Sequence, residues 1–123
     1  MSCQVSVLDE VRDLDVPALP DNEVRLAAPR IVSSLYQKPR IGEPMRSRYN
    51  LRNLIGCRKV SFDREGWEDK RRFRLVFRNE PDDGSVAKVT VLAIARRDEL
   101  EAYRTAASRL GAGRRSAQER RPQ

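Results

Sequence analysis

The chain has 123 residues, which is enough for one compact domain and too few for two domains with separate cores. Its 25 lysines and arginines outnumber 18 acidic residues, and the net charge of +7 favours an anionic partner such as nucleic acid or an acidic protein segment. The sequence contains no histidine, which excludes Ser-His and Cys-His nucleophiles, histidine-based nucleases and most zinc sites.

The first 40 residues predict one strand followed by helices. "CQVSVL" alternates as a strand does, and the acidic "DEVRDLDVPALP" indicates a short helix or turn that its prolines end. The main helix is predicted to begin at Asp21 or Asn22 and to stop at Pro39. Pro29 lies inside this helix, where its missing N–H should kink the helix or divide it in two.

Three strands are predicted in the second half, at "GCRKVSF", "RFRLVFR" and "AKVTVLAIA". An Asp-Gly turn joins the last two as a hairpin, so the three should form an antiparallel meander. Because side chains alternate, Lys59, Ser61 and Arg74 should take the face opposite the core, and the residues predicted to face the core are Val60, Phe62, Phe73, Leu75 and Phe77. A last helix should begin at a cap on Asp98 and end at Gly111.

This order predicts an α+β domain: a small antiparallel meander sheet with the N-terminal helices packed on one face, and a C-terminal helix. The other sheet face should be partly open. Residues 1–110 should form the single domain, and residues 111–123 a basic, disordered tail. No apolar run reaches the length of a membrane span, and no secretion signal is recognisable, so we expect a cytoplasmic protein with reduced cysteines.

Four residues of the second half are predicted to converge at the open sheet face. Lys59 and Arg74 lie on neighbouring strands, Arg97 lies where the next strand ends, and Tyr103 follows about a turn and a half into the helix. Residues 24–123 carry 24 basic and 12 acidic residues, so this part of the chain has a net charge of +12. A cluster of cations within it suggests an anionic ligand. The alternative is a chance cluster of solvated cations with Tyr103 as a packing residue.

From about residue 54 to residue 110 the chain resembles the RelE/ParE superfamily of small toxins from bacterial toxin-antitoxin systems, and the RelE-type branch in particular. The resemblance rests on "GCRKVSF", on "FRLVFR", and on "VTVLAIARRDELEAY", where an arginine precedes a helical tyrosine by six residues. The first half resembles the family only in layout, with "KPRIGEPMR" similar to its Pro-Gly-Pro-containing connection. A RelE-like microbial ribonuclease fold is therefore implied.

The resemblance implies a ribosome-dependent messenger RNA endonuclease that needs neither metal nor cofactor and that a cognate antitoxin with an acidic segment neutralises. In RelE-type toxins the ribose 2′-hydroxyl attacks the adjacent phosphate in the ribosomal decoding site. Carried over, Arg97 would stabilise the phosphate or protonate the leaving oxygen, Arg74 would clamp phosphate, and Tyr103 would orient the 2′-hydroxyl or stack on a base. Lys59 would add charge. The remaining candidates for RNA contact are Arg46, Arg48, Arg52, Arg72 and Ser61.

One departure from the family leaves alternatives open. RelE-type toxins commonly have a second lysine two residues after the first, as a candidate general base, and Ser61 stands there in this chain. A ParE-like inhibitor that poisons DNA gyrase without cleavage, or an inactive basic binding module on the same fold, are the alternatives. Trp67 could stack on a base, but a lone loop tryptophan more often covers a core edge, and Cys57 is interpreted as a packing residue without a base.

Overall fold

The structure is a computed structural model that describes residues 3–45, 56–97 and 101–119, with side chains in the last helix described as far as residue 110. One five-stranded sheet has the order β1-β5-β4-β3-β2. Two α-helices and a π-helical turn at Val11–Asp15 accompany it. Among the described helices, none is both long and apolar enough to cross a membrane. The elements are β1 Gln4–Val7, α1 Asn22–Leu35, β2 Glu43–Pro44, β3 Cys57–Phe62, β4 Phe73–Glu80, β5 Lys88–Arg96 and α2 Glu101–Glu119.

The predicted meander is present, but the sheet as a whole is mixed. Strands β3, β4 and β5 pair antiparallel in sequence order, as expected. The expectation of a purely antiparallel sheet was wrong, because β1 pairs parallel with β5, in the register Gln4 with Lys88 through Val7 with Val91. The sequence of β1 does not indicate which strand it pairs with, because the pairing joins segments more than 80 residues apart in the chain. The short strand β2 adds an unpredicted antiparallel edge beside β3.

The sheet buries an apolar cluster on each face. On one face, α1 packs against Phe73, Leu75 and Phe77, the alternate residues predicted to face the core. On the other face, α2 packs against Val76 and a second set from β3 and β5. This second face was expected to be partly open. Because α2 covers part of it, only the area beside α2 is left for a site.

The two helices differ in how well their ends were predicted. Helix α1 begins at Asn22 as expected, with the Asp21 carboxylate accepting a hydrogen bond from Val24 N at 2.9 Å, and it continues past Pro29 without dividing. Helix α2 does not end at Gly111 but continues to Glu119. A helical glycine costs only about 1 kcal/mol relative to alanine, so neighbouring helix formers can offset it. The predicted cap at Asp98 lies outside the described residues.

An extra residue in β5 coincides with the end of its pairing with β1. Val76 pairs with Ala93 and Phe77 with Val91, so Leu92 is inserted as a bulge. Beyond the end of β1, the Ile94 N–H donates to Asp15 at 2.8 Å and the Leu92 carbonyl accepts from Arg109 at 2.9 Å. Two further bonds of 2.7 and 2.8 Å join Arg109 to the same carboxylate. The Asp15–Arg109 ion pair therefore satisfies the backbone groups of β5 that lie beyond the end of β1, and it links the N-terminal turn to α2.

We expect Arg109→Ala to lower the free energy of unfolding by about 3 kcal/mol, because it leaves the largely buried Asp15 carboxylate without its cation. Urea denaturation followed by circular dichroism measures the change. Arg12→Ala is the matched control, since Arg12 pairs with Asp9 and Asp13 at the exposed surface and its loss should change stability little. Equal destabilisation by the two variants would contradict a structural role for the buried pair.

Candidate functional site

An open cavity of about 510 Å³ lies on the sheet face beside α2, where β2, β3, β4 and the end of β5 come together. It contains four cations and one carboxylate. Three of the predicted catalytic residues, Lys59, Arg74 and Arg97, contribute to its lining. The other lining residues are Gly42, Glu43, Val60, Ser61 and Arg71.

The strand register explains why residues from separate segments meet here. Ser61 pairs with Arg74, and Arg74 pairs in turn with Ala95, so these three lie in one row across the sheet. Arg97 lies two residues beyond Ala95 and therefore shares its face. Its N–H donates to the Arg72 carbonyl at 2.8 Å, which continues the β4–β5 pairing for one more residue. Arg97 is thereby fixed at the rim through its backbone.

The Tyr103 ring forms the floor beneath two of the cations. The Arg74 guanidinium carbon lies 4.8 Å from the ring centroid, and the Lys59 ammonium nitrogen lies 5.4 Å from it. The negative face of an aromatic ring attracts cations at this range. Tyr103 is only 1% exposed and belongs to the apolar cluster of α2. In this arrangement a base could not stack on the ring, and the tyrosine supports Arg74 and Lys59 from below.

Arg72, a predicted RNA contact, forms a structural ion pair with Asp63. Its guanidinium makes two 2.9 Å hydrogen bonds with Asp63, whose carboxylate also accepts from the backbone N–H groups of Arg64 and Arg72. The same guanidinium stacks 4.0 Å from the centroid of Trp67. These contacts close the β3–β4 connection, and they leave Arg72 outside the cavity. Trp67 covers this arginine rather than a core edge.

Burial determines the chemistry of Cys57. The side chain is fully buried in the cluster under α2, and this burial raises the pKa of the thiol to about 11. Cys57 is therefore a protonated packing residue at neutral pH, as predicted. Both Cys57 and Cys3 are buried and free of any disulfide.

Two residues of the cavity were missed from the sequence, and three predicted ones cannot be located. Neither Arg71 nor Glu43 was among the candidates, because both lie in connections between the predicted elements. Strand β2 pairs Glu43 directly with Lys59, and the carboxylate lies 3.9 Å from the ammonium nitrogen. The remaining candidates, Arg46, Arg48 and Arg52, lie outside the described residues.

Comparison with solved structures identifies the fold. The free Escherichia coli toxin RelE, in a double-mutant form, aligns with a TM-score of 0.60 at 18% identity over 89% of this chain and 99% of that chain. The toxin-antitoxin complex RelBE2 from Mycobacterium tuberculosis aligns with a TM-score of 0.44 at 22% identity over 80% of this chain and 95% of that chain. The sequence matches no protein-family model and no curated protein. The chain thus has a RelE-like fold, as the resemblance implied.

The Asp63–Arg72 pair should make stability depend on pH. Hydrogen bonds from Arg72 lower the pKa of Asp63 to about 2, against about 3.9 for an unfolded aspartate. The pair therefore stabilises the fold fully above about pH 5 and loses its contribution as pH falls through 2. We expect Asp63→Asn to be destabilised most at neutral pH, with the difference from the parent shrinking below pH 4.

Urea denaturation of both proteins between pH 7 and pH 2.5 measures that difference. Asp69→Asn makes the same change in the exposed part of the same loop, and it should leave the free energy of unfolding near the parent value at pH 7. A difference between parent and Asp63→Asn that stays constant over the whole range would contradict the assignment.

Proposed function

We propose that this chain is the toxin of a toxin-antitoxin pair and that it cleaves messenger RNA on the ribosome by attack of a 2′-hydroxyl on the adjacent phosphate. The observation that carries the proposal is the convergence of Lys59, Arg74 and Arg97 in one open cavity. The fold shared with the RelE toxin supports it. Four cations and a single carboxylate line this cavity, and such an excess of positive charge is costly unless an anion such as a phosphate group compensates it.

The chemistry suits a site without histidine. In-line attack concentrates negative charge on the phosphoryl oxygens, and fixed guanidinium groups lower the barrier where that charge develops. In the proposed complex Arg74, held over the Tyr103 ring, clamps the phosphate. Arg97 at the rim meets the charge that develops during transfer, and Lys59 adds a third cation. Tyr103 acts by positioning the cations.

The cognate antitoxin is proposed to neutralise the toxin by placing an acidic segment over the same cavity. Arg71 is exposed there, and Arg74 and Arg97 are partly exposed, so carboxylates of a partner can reach them. Complementary charge would also speed association of the two proteins in the cytoplasm. The antitoxin would then compete directly with RNA.

Ser61 favours a second candidate function. It occupies the cavity wall beside Arg74, where a RelE-type toxin commonly has a lysine that serves as candidate base. A serine hydroxyl is a poor base without a partner. A chain with this fold that inhibits DNA gyrase without cleaving RNA would need no base at that position.

Induced expression in bacteria with two readouts separates these functions. Mapping of new 5′ ends within coding regions reports cleavage of messenger RNA, and induction of the DNA damage response reports gyrase poisoning. Growth arrest with new 5′ ends and no damage response supports the proposal. Growth arrest with a damage response and intact messages would contradict the proposal and support the gyrase inhibitor instead.

Arg97→Ala should reduce the rate of message cleavage by about a hundredfold, the effect of removing one donor that stabilises transition-state charge. Single-turnover cleavage on purified ribosomes measures the rate. Arg96→Ala is the matched control, because Arg96 makes the same charge change one residue earlier and its guanidinium lies over Phe73 on the opposite sheet face. Equal losses in both variants would mean that net charge, and not position, sets the rate.

RNA binding should weaken steeply as salt rises, because each phosphate contact releases counterions. Arg71→Ala should lower the affinity and reduce the slope of log K against log salt by about 1. Arg30→Ala is the control, since Arg30 pairs with Glu65 at 3.1 Å on the α1 side of the sheet. Fluorescence anisotropy with labelled single-stranded RNA gives the slopes. An unchanged slope for Arg71→Ala would remove this residue from the RNA interface.

A further inference from the structure

Glu43 is the one carboxylate among the residues that line the cavity in the described part of the chain. It lies on β2, opposite Lys59, with Oε2 at 3.9 Å from the ammonium nitrogen. Its side chain is 78% exposed, so a ligand in the cavity can touch it. The carboxylate therefore faces the same space as Arg71, Arg74 and Arg97.

The backbone that carries Glu43 is held in place by glycine geometry. Gly42 has a φ of 77°, which favours glycine, and a Cβ atom there would collide with the Lys59 carbonyl oxygen. Only glycine lets β2 approach β3 this closely. On the far side of β2, the Met45 N–H donates to the Cys57 carbonyl at 2.8 Å.

Buried polar side chains hold the turn before β2 from two other strands. The guanidinium of Arg58, a residue only 7% exposed, donates to the carbonyls of Arg40 at 2.9 Å, Ile41 at 3.3 Å and Gly42 at 3.2 Å. Asn79 of β4 donates to the Pro39 carbonyl at 2.7 Å. The same guanidinium lies 3.6 Å from the Asp82 carboxylate, so Arg58 is held in place while its three carbonyl contacts fix the turn. Glu43 is accordingly presented from a rigid support.

A carboxylate in this position is unfavourable for binding alone. It repels a phosphate in the cavity and weakens the positive field of the arginines. A site that only captured an anion would bind it more tightly without Glu43. The presence of this carboxylate therefore suggests a chemical role for Glu43 that needs a proton acceptor.

No other cavity side chain in the described ranges fills that task readily. A guanidinium group has no acceptor lone pair, an ammonium group must lose a proton before it can accept one, and a serine hydroxyl itself needs a base. The reaction proposed above requires removal of a proton from the attacking 2′-hydroxyl. A carboxylate can take that proton, and Glu43 is the carboxylate that lines the cavity in the described ranges.

We propose that Glu43 is the general base of this site, an inference that rests on the proposed ribonuclease function. Its carboxylate takes the proton of the ribose 2′-hydroxyl as the O2′–phosphorus bond forms and the phosphorus–O5′ bond breaks. The products are a 2′,3′-cyclic phosphate and a 5′-hydroxyl. The proton on Glu43 returns through water to the leaving 5′-oxygen, so no co-reactant is needed. Glu43 thereby takes the part that Ser61 cannot.

The test compares cleavage and binding in Glu43→Gln, which keeps the shape of the side chain and removes its charge. We expect single-turnover cleavage of ribosome-bound message to fall at least about a hundredfold. Affinity for ribosomes programmed with message carrying 2′-deoxy sugars in the decoding-site codon should stay equal or rise, because a negative charge has left the cavity. Retained or tighter binding also shows that the variant is folded.

Glu65→Gln is the matched control. Glu65 is also an exposed glutamate paired with a cation, Arg30, but it lies on the α1 side of the sheet, and its substitution should change neither measurement. Three results would overturn the inference. Cleavage by Glu43→Gln at the parent rate would be consistent with the ribonuclease function but would show that Glu43 is not its general base. Parallel loss of cleavage and binding would make Glu43 a structural partner of Lys59. A parent chain that cleaves nothing would remove the ribonuclease and its base together.

Discussion

The uncovered edge of β5 is the constraint on which the arrangement of the site depends. Strand β1 pairs with β5 only as far as Val91, and the next backbone groups need partners because an unpaired buried polar group is costly. Asp15 and Arg109 supply them, and they bind each other with two short hydrogen bonds. The Asp15–Arg109 ion pair thus joins the N-terminal turn, the edge of β5 and α2.

The position of α2 determines in turn what the cavity contains. With α2 fixed over Val76 and Leu92, the Tyr103 ring lies under Arg74 and Lys59. A shift of this helix would remove the aromatic floor and leave the two cations to repel each other. The N-terminal segment therefore influences the basic site indirectly, because Asp15 binds the helix that carries Tyr103.

The net charge of the chain does not indicate which arginines are available to a ligand. Arg58, Arg72 and Arg109 are each occupied by carboxylates or carbonyls that hold a connection or an edge in place. Arg71 and Arg97 line the cavity, and none of the ion pairs found in the described part of the chain includes them. The excess of basic residues thus divides into a structural group, which specifies the fold, and a smaller group that can meet an anion.

The sequence predicted what depends on local periodicity, and it did not predict what depends on distant partners. Alternation in β3 and β4 correctly separated the core face from the face of Lys59, Ser61 and Arg74, and the Asp21 cap correctly marked the start of α1. The RelE-like fold was also recognised from the spacing of short motifs. Pairing of β1 with β5 has no local signature.

The same limit explains why the positions of two polar side chains were not predicted. Arg72 follows the alternation that puts Arg74 on the cavity face, yet Asp63, nine residues earlier, binds it elsewhere. Glu43 was missed because β2 is two residues long and exists through Gly42 and the carbonyl contacts of Arg58. In both cases a specific distant contact decides where the polar side chain lies.

The most direct test of the account is the chemistry of the product ends. Purified protein is incubated with ribosomes on a defined message, and the fragments are analysed for their terminal groups. We expect new upstream fragments that end in a 2′,3′-cyclic phosphate and new downstream fragments that begin with a 5′-hydroxyl. Messages that remain intact, or fragments with a 3′-hydroxyl and a 5′-phosphate, would contradict it.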